Sequence, residues 1–261
     1  MVVRRGLRAG VVVVVLGGVA GCALVRPRVP EGEPATAAAL LADVAAQRQA
    51  RTSLRARARL RTGLAGMWTR EAVLVRRPDD VRVDVLSPFG LALALGVDGR
   101  ALWVWPAAQG VRYDGEASPE NLARFLGAPI TVSDLVDVLM GLPPARTPVA
   151  PPVARRTADG EWEVLVPLAD GVQTLWFDGA TRRLARAAEQ RGDGPVLRVG
   201  FADYQDGFPR TLEVESPALS SSAKLAYDAV EVNPVLEDGV FAPPPAPRVV
   251  PLEAAAAPPQ S

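Results

Sequence analysis

The chain has 261 residues, with 29 basic and 29 acidic side chains, a single cysteine and no histidine. That inventory excludes a disulfide framework, a histidine metal site and any serine–histidine or cysteine–histidine catalytic pair. Balanced charge also argues against nucleic acid as a partner, and the strong bias to arginine, with Lys224 the sole lysine, reads as base composition of the genome before any function.

The chain opens with Arg4, Arg5 and Arg8, an uninterrupted apolar run Val11–Leu16, and the small residues Gly17, Gly18, Ala20 and Gly21 leading into Cys22, which is the plan of a secretory signal. Its apolar stretch is far short of the ~20 residues a helix needs to cross a bilayer. Residues 1–21 are therefore expected to guide export and be removed, which leaves 26 basic against 29 acidic side chains. Val19-Ala20-Gly21-Cys22 resembles the lipobox of bacterial lipoproteins. The resemblance implies that Cys22 becomes the mature N-terminus and carries a diacylglycerol and an N-acyl chain, with no other cofactor. Two or three such chains anchor a protein stably where one holds it only marginally, at ~0.8 kcal/mol per methylene. Ala23, standing where an aspartate would retain many such proteins at the inner membrane, implies the outer membrane, facing the periplasm.

Residues 22–36 hold three prolines and read as a tether. Ala37–Arg51 is rich in Ala, Leu and Gln, and Leu40, Leu41, Val44 and Ala45 are spaced for one face of a helix. From Ser53 the period becomes two: Leu54, Ala56, Ala58 and Leu60 alternate with Arg55, Arg57, Arg59 and Arg61, a strand with one aliphatic and one solvated face. Further strands are expected at Trp68–Arg76, Asp80–Leu86, Leu91–Val97, Ala101–Trp105 and Val111–Tyr113, joined by short Gly or Pro turns that imply antiparallel neighbours.

Two helices then interrupt the strands. Ser118 caps the first ahead of Pro119, with Leu122, Phe125 and Leu126 as its apolar stripe. Ser133 is expected to cap the second, which carries Leu135, Val138, Leu139 and Leu142 and is stopped by Gly141 and Pro143-Pro144. After a proline-rich loop over 143–152, strands resume at Trp162–Pro167, Gln173–Phe177, Leu184–Gln190, Val196–Tyr204, Thr211–Glu215 and Ala223–Val232. Beyond Phe241 proline and alanine dominate, and residues 243–261 are expected to be a disordered tail. The order describes one α+β domain, mainly β, over 37–242: a single curved antiparallel sheet of eleven or twelve strands wrapped around helices. No coiled-coil or repeat signal argues against a monomer.

From Leu86-Ser87-Pro88-Phe89-Gly90 to Pro144 the succession is strand, Pro-apolar-Gly turn, strand, Tyr113, helix, Gly127-Ala128-Pro129-Ile130, helix, Gly141-Leu142-Pro143. This resembles the outer-membrane lipoprotein receptor LolB and its relatives, which share a fold with the periplasmic carrier LolA. The resemblance implies a half-open β-barrel of about eleven strands covered by helices. It further implies an apolar cavity that takes the acyl chains of lipoprotein cargo from a LolA-like carrier and releases them into outer-membrane lipid. Aliphatic walls suit that work because their contacts are non-directional. The candidates for the cavity wall are Leu54, Leu60, Val83, Val85, Leu93, Leu95, Leu135 and Leu139. Trp103 and Trp105 point to the same side of one strand and would line the cavity or fill its floor. Phe89, flanked by Pro88 and Gly90, occupies the turn where the family carries an apolar side chain that enters the membrane. From the residues alone, packing into the core is the competing fate for Phe89.

Asp134 with Asp137, and Glu161 with Glu163, superficially suggest two-carboxylate catalysis, but surface placement is the expectation for both pairs. Transport by binding and hand-over is thus the leading reading and no enzyme is expected. An envelope lipoprotein using the same fold as a protein-binding scaffold is the alternative.

Overall fold

The computed structural model describes residues 33–63, 66–126, 129–192, 194–217 and 220–254. The leader, Cys22 and most of the tether lie outside the described residues. Helix α1 spans Pro34–Ala50 and is followed by β1 (Ser53–Thr62), β2 (Thr69–Arg76), β3 (Asp80–Ser87), β4 (Gly90–Asp98), β5 (Ala101–Pro106) and β6 (Val111–Glu116). Helices α2 (Pro119–Leu126) and α3 (Val132–Leu139) come next. They are followed by β7 (Val153–Arg156), β8 (Trp162–Pro167), β9 (Gly171–Phe177), β10 (Leu184–Arg191), β11 (Gly194–Gln205), β12 (Phe208–Ser216), β13 (Ser221–Val232) and β14 (Arg248–Pro251).

The fourteen strands of the described residues form one sheet in the order β14-β6-β5-β4-β3-β2-β1-β13-β12-β11-β10-β9-β8-β7. The first and last strands do not meet, so the sheet stays open, and β1 pairing with β13 joins its two halves. The count exceeds the expected eleven or twelve because β7 and β14, four residues each, are too short to show an alternation. Antiparallel pairing holds throughout except at β14, which runs parallel to β6.

One face of the sheet carries the core. Leu54, Ala56 and Ala58 of β1, Val73 and Val75 of β2, Val81 of β3, and Leu95 and Val97 of β4 pack against Ala37, Leu40 and Val44 of α1 and against α2 and α3. The spacing of Ala37, Leu40 and Val44 is what makes α1 one-sided. The arginines of β1 face the other way: Arg55 pairs with Glu231 at 2.8 Å and Arg59 with Asp228 at 3.1 Å, both in exposed settings worth little to stability. Helix α2 starts where expected, with the Asn121 amide donating to Ser118 Oγ at 3.2 Å. At α3 the cap is Thr131, whose side chain accepts from the Asp134 amide, two residues before the expected Ser133.

The C-terminal segment is the main departure from expectation. It is not a free tail up to residue 254, because Phe241 and Leu252 are both buried. Proline supplies no N–H, so much of this segment cannot pair as a strand, and arginines of β3, β6 and α2 satisfy carbonyls along it instead. Arg82 Nη1 donates to Val240 O at 2.9 Å, Arg112 Nη1 to Pro244 O at 2.6 Å and Arg124 Nη1 to Leu252 O at 3.0 Å. The strap crosses the outer face of the sheet, and Leu252 joins the core at the end of β6, where a Cβ on Gly115 would stand 2.7 Å from the Leu252 Cβ. Residues 255–261 lie outside the described residues.

Candidate functional site

Strand directions place the β1–β2, β3–β4, β5–β6 and β12–β13 turns at one edge of the sheet, here termed the rim. Below the rim, between the inner face and helices α2 and α3, lies a cavity of about 130 Å³. Its wall is Leu60, Val73, Val83, Leu95, Leu212, Val214, Ala223 and Leu225 from the sheet, and Leu126, Ile130, Leu135, Val138 and Leu139 from the helical side, with Glu71 the single polar member. A cavity of this size takes roughly one benzene ring. A wider cleft of about 980 Å³ opens at the rim between the 62–69 and 215–222 turns, and Thr69 lies in its wall.

Glu71, in the cavity wall, is two residues along β2 from Thr69, in the cleft wall. On β2 the inward set is Thr69, Glu71, Val73 and Val75, so the carboxyl lies one step deeper than Thr69 and one step above the valines. Its cross-strand neighbours are Ala58 and Val85. The side chain is 2% exposed; Oε1 accepts from Thr69 Oγ1 at 2.6 Å, and Oε2 has no hydrogen-bond partner among the described residues. Burial pushes this carboxyl above the usual range, with the Thr69 hydrogen bond only partly opposing it.

The helical wall is fixed unevenly. Asp134 and Asp137, expected at the surface, are buried and paired with arginines distant in sequence. Asp137 accepts from Arg48 at 3.2 Å, from Arg77 at 2.7 Å and from the Ala145 amide at 3.0 Å. Asp134 takes both Nη atoms of Arg146, at 2.7 and 2.8 Å, and Arg146 Nε reaches Glu189 at 2.7 Å. Burial alone would pull Arg146 down, but hydrogen bonds and charge from Asp134 and Glu189 hold its guanidinium above the ordinary value. These ties bolt α3 to α1, to the β2–β3 turn and to β10, and leave its carboxylates occupied rather than poised for catalysis. Helix α2 buries only Leu122 fully. At the other carboxylate pair, Glu161 meets Arg186 at 2.6 Å and Glu163 meets Arg155.

Phe89 sits at the tip of the β3–β4 hairpin and is 100% exposed. The Ser87 hydroxyl closes this turn, accepting from the Phe89 amide at 3.2 Å and donating to Gly90 O at 2.9 Å. Gly90 has φ of +113°, a conformation that requires glycine. Pro88-Phe89 is thus held outward, and core packing is not its fate. The neighbouring β1–β2 tip presents Met67, 88% exposed, and Trp68, whose ring lies 5.6 and 5.2 Å from the guanidinium carbons of Arg59 and Arg61. Sequence reasoning did not single out Met67, Trp68 or Glu71.

Of the expected wall residues, Leu60, Val83, Leu95, Leu135 and Leu139 line the cavity. Val85 and Leu93 are on the same face, one register step nearer the rim, and Leu54 packs at the closed end beside Val75. Trp103 and Trp105 do not line it. Leu102 and Val104 are the inward residues of β5, so both indoles fall on the outer face. There the Trp103 ring lies on Gly96, where a Cβ would come within 2.2 Å of it, and its Nε1 donates to Phe241 O at 3.0 Å beneath the strap.

No protein-family model matches the chain, and no curated protein sequence matches it. Solved structures do. A LolA superfamily protein from Nitrosomonas europaea is 17% identical, with a TM-score of 0.53, over 78% of this chain and 96% of its own. A DUF1329 family protein from Desulfovibrio piger is 13% identical with a TM-score of 0.56, covering 81% and 98%. A putative outer membrane lipoprotein-sorting protein domain from Vibrio parahaemolyticus is 13% identical with a TM-score of 0.52, covering 80% and 97%. At such identities the likeness is one of fold, and the chain has the LolA-like fold: an open, mainly antiparallel sheet with helices against its inner face.

Proposed function

We infer that this protein is a lipid-anchored envelope lipoprotein that receives acyl chains of lipoprotein cargo from a LolA-like carrier and passes them into the outer membrane. The observation that carries the reading is the aliphatic cavity between the inner face and helices α2 and α3, opening toward a rim on which Phe89 is fully exposed. The LolA-like fold and the lipobox ending at Cys22 support it. A resting volume of about 130 Å³ is too small for a whole acyl chain. Loading therefore requires the wall to part, and α2, with Leu122 its one fully buried residue, is the side that gives while α3 stays pinned. Cargo chains then replace the contacts that Leu126 and Ile130 make across the cavity.

Depletion of the protein in a cell, followed by fractionation, tests this reading. Other lipoproteins should accumulate in the periplasm bound to their carrier, and normal delivery to the outer membrane would exclude it. The small resting volume favours one second reading, a scaffold of the same fold that binds proteins on its surface. That reading gains if no acyl chain copurifies with the protein.

A further inference from the structure

We propose that Glu71 is the cavity's polar contact, donating a hydrogen bond from Oε2 to the ester or amide carbonyl at the head of an acyl chain whose tail lies among Val73, Val83 and Leu95. This deepens the acyl-binding reading and rests on it.

Three observations carry the assignment. A carboxyl oxygen without a partner in an apolar wall is costly, since a buried unsatisfied polar group loses its hydration without compensation. Only Oε2 is left open, because Thr69 already occupies Oε1. Glu71 also lies on the rim side of Val73, Val83 and Leu95, one inward step along β2 from Thr69 in the wall of the open cleft. An acyl chain lying tail-inward places its carbonyl at that level and its headgroup in the cleft. Burial favours the protonated form of the Glu71 carboxyl, the form able to donate such a bond. A carbonyl is the chemistry that fits: it only accepts, and it is the first polar group an acyl chain offers after its methylenes. The esters of a lipoprotein's diacylglyceryl cysteine and of a phospholipid share that carbonyl.

The test uses the full chain with Cys22→Ser, so that no lipid of its own competes, and compares dodecanoyl esters with dodecyl ethers, which differ only in the carbonyl. Each tail is carried on glycerol, on phosphoglycerol and on an S-glyceryl-cysteine peptide. The original side chain at 71 should favour ester over ether by about five- to tenfold on every headgroup, the worth of one net hydrogen bond. Glu71→Gln, which keeps a donor, should retain the preference. Glu71→Leu should abolish it while ether binding persists, with a single cooperative melting transition verifying the fold. The tighter of the peptide and phosphoglycerol esters identifies the source of the chain. Equal discrimination in Glu71→Leu, or none with Glu71 intact, overturns the assignment alone. Failure of every ester and ether to bind overturns the acyl-binding reading together with it.

Discussion

Removing the phenyl ring of Phe89 separates a structural from a membrane role, because the ring touches nothing in the fold. It is 100% exposed, on a turn whose geometry is set by Ser87 and Gly90. Phe89→Ala should therefore leave the melting temperature unchanged, since surface substitutions remote from packing stay within about 0.5 kcal/mol. In lipid the balance differs: burying a phenylalanine side chain is worth about 1.5–3 kcal/mol, which converts to a loss of about 10- to 150-fold in partitioning. The measurement is co-sedimentation of a chain starting at Glu33, free of the lipid-bearing cysteine, with phosphatidylethanolamine and phosphatidylglycerol vesicles. Phe89→Glu should go further and leave a folded, acyl-binding protein that cannot deliver. If Phe89→Ala partitions as tightly as the parent, and Phe89→Glu still transfers cargo to liposomes, the rim does not touch the membrane through this residue.

Two other changes probe the interior. Asp137→Ala strands two arginines and the Ala145 amide; because Arg48 and Arg77 retain 25% and 21% side-chain exposure, the cost should fall below the range for a fully buried pair, at about 2–3 kcal/mol. Thermal unfolding should show this as a drop of about 5–10 °C, and a drop under about 2 °C would mean that α3 is not held through this residue. Glu71→Gln should change the pH dependence of stability: with its carboxyl raised in the folded state, the chain loses stability as pH climbs through the ordinary carboxyl value, and the loss is complete above the raised one. The variant should thus melt higher than the parent at pH 7 and little higher at pH 4; a gain at pH 4 equal to that at pH 7 argues that the carboxyl ionises normally.

Much of the site was legible because it depends on local pattern. The alternation Leu54–Arg61 assigns inner and outer faces correctly, and the Ser-Pro-Phe-Gly run marks a turn that holds Phe89 outward. What escaped notice depends on partners distant in sequence. Asp134 and Asp137 are buried only because Arg146, Arg48 and Arg77 reach them, and no spacing along the chain announces that meeting. The spacing of Trp103 and Trp105 puts both on one side of β5 without saying which, and because the strap covers the outer face as well, burial does not identify the side. The strap itself reads as a tail because its anchors, Phe241 and Leu252, are isolated among prolines and alanines, and its carbonyls are satisfied by side chains. Glu71 did leave a signal: in Thr69-Arg70-Glu71-Ala72-Val73-Leu74-Val75 it falls in phase with the inward valines, a charged residue on the wrong side of a strand.

Among the described residues both margins of the sheet are strands of only four residues, β7 and β14, a poor template for another chain to extend. At β7 the bridge from Glu33 to Ala154 lays the start of α1 across the strand, and at the opposite margin β14 is four residues long and ends on Pro251. Such margins disfavour edge-to-edge pairing between copies of this fold, in a pair or in a filament. Under the proposed function, contact with a carrier is then made by side chains and undone without unravelling a ladder.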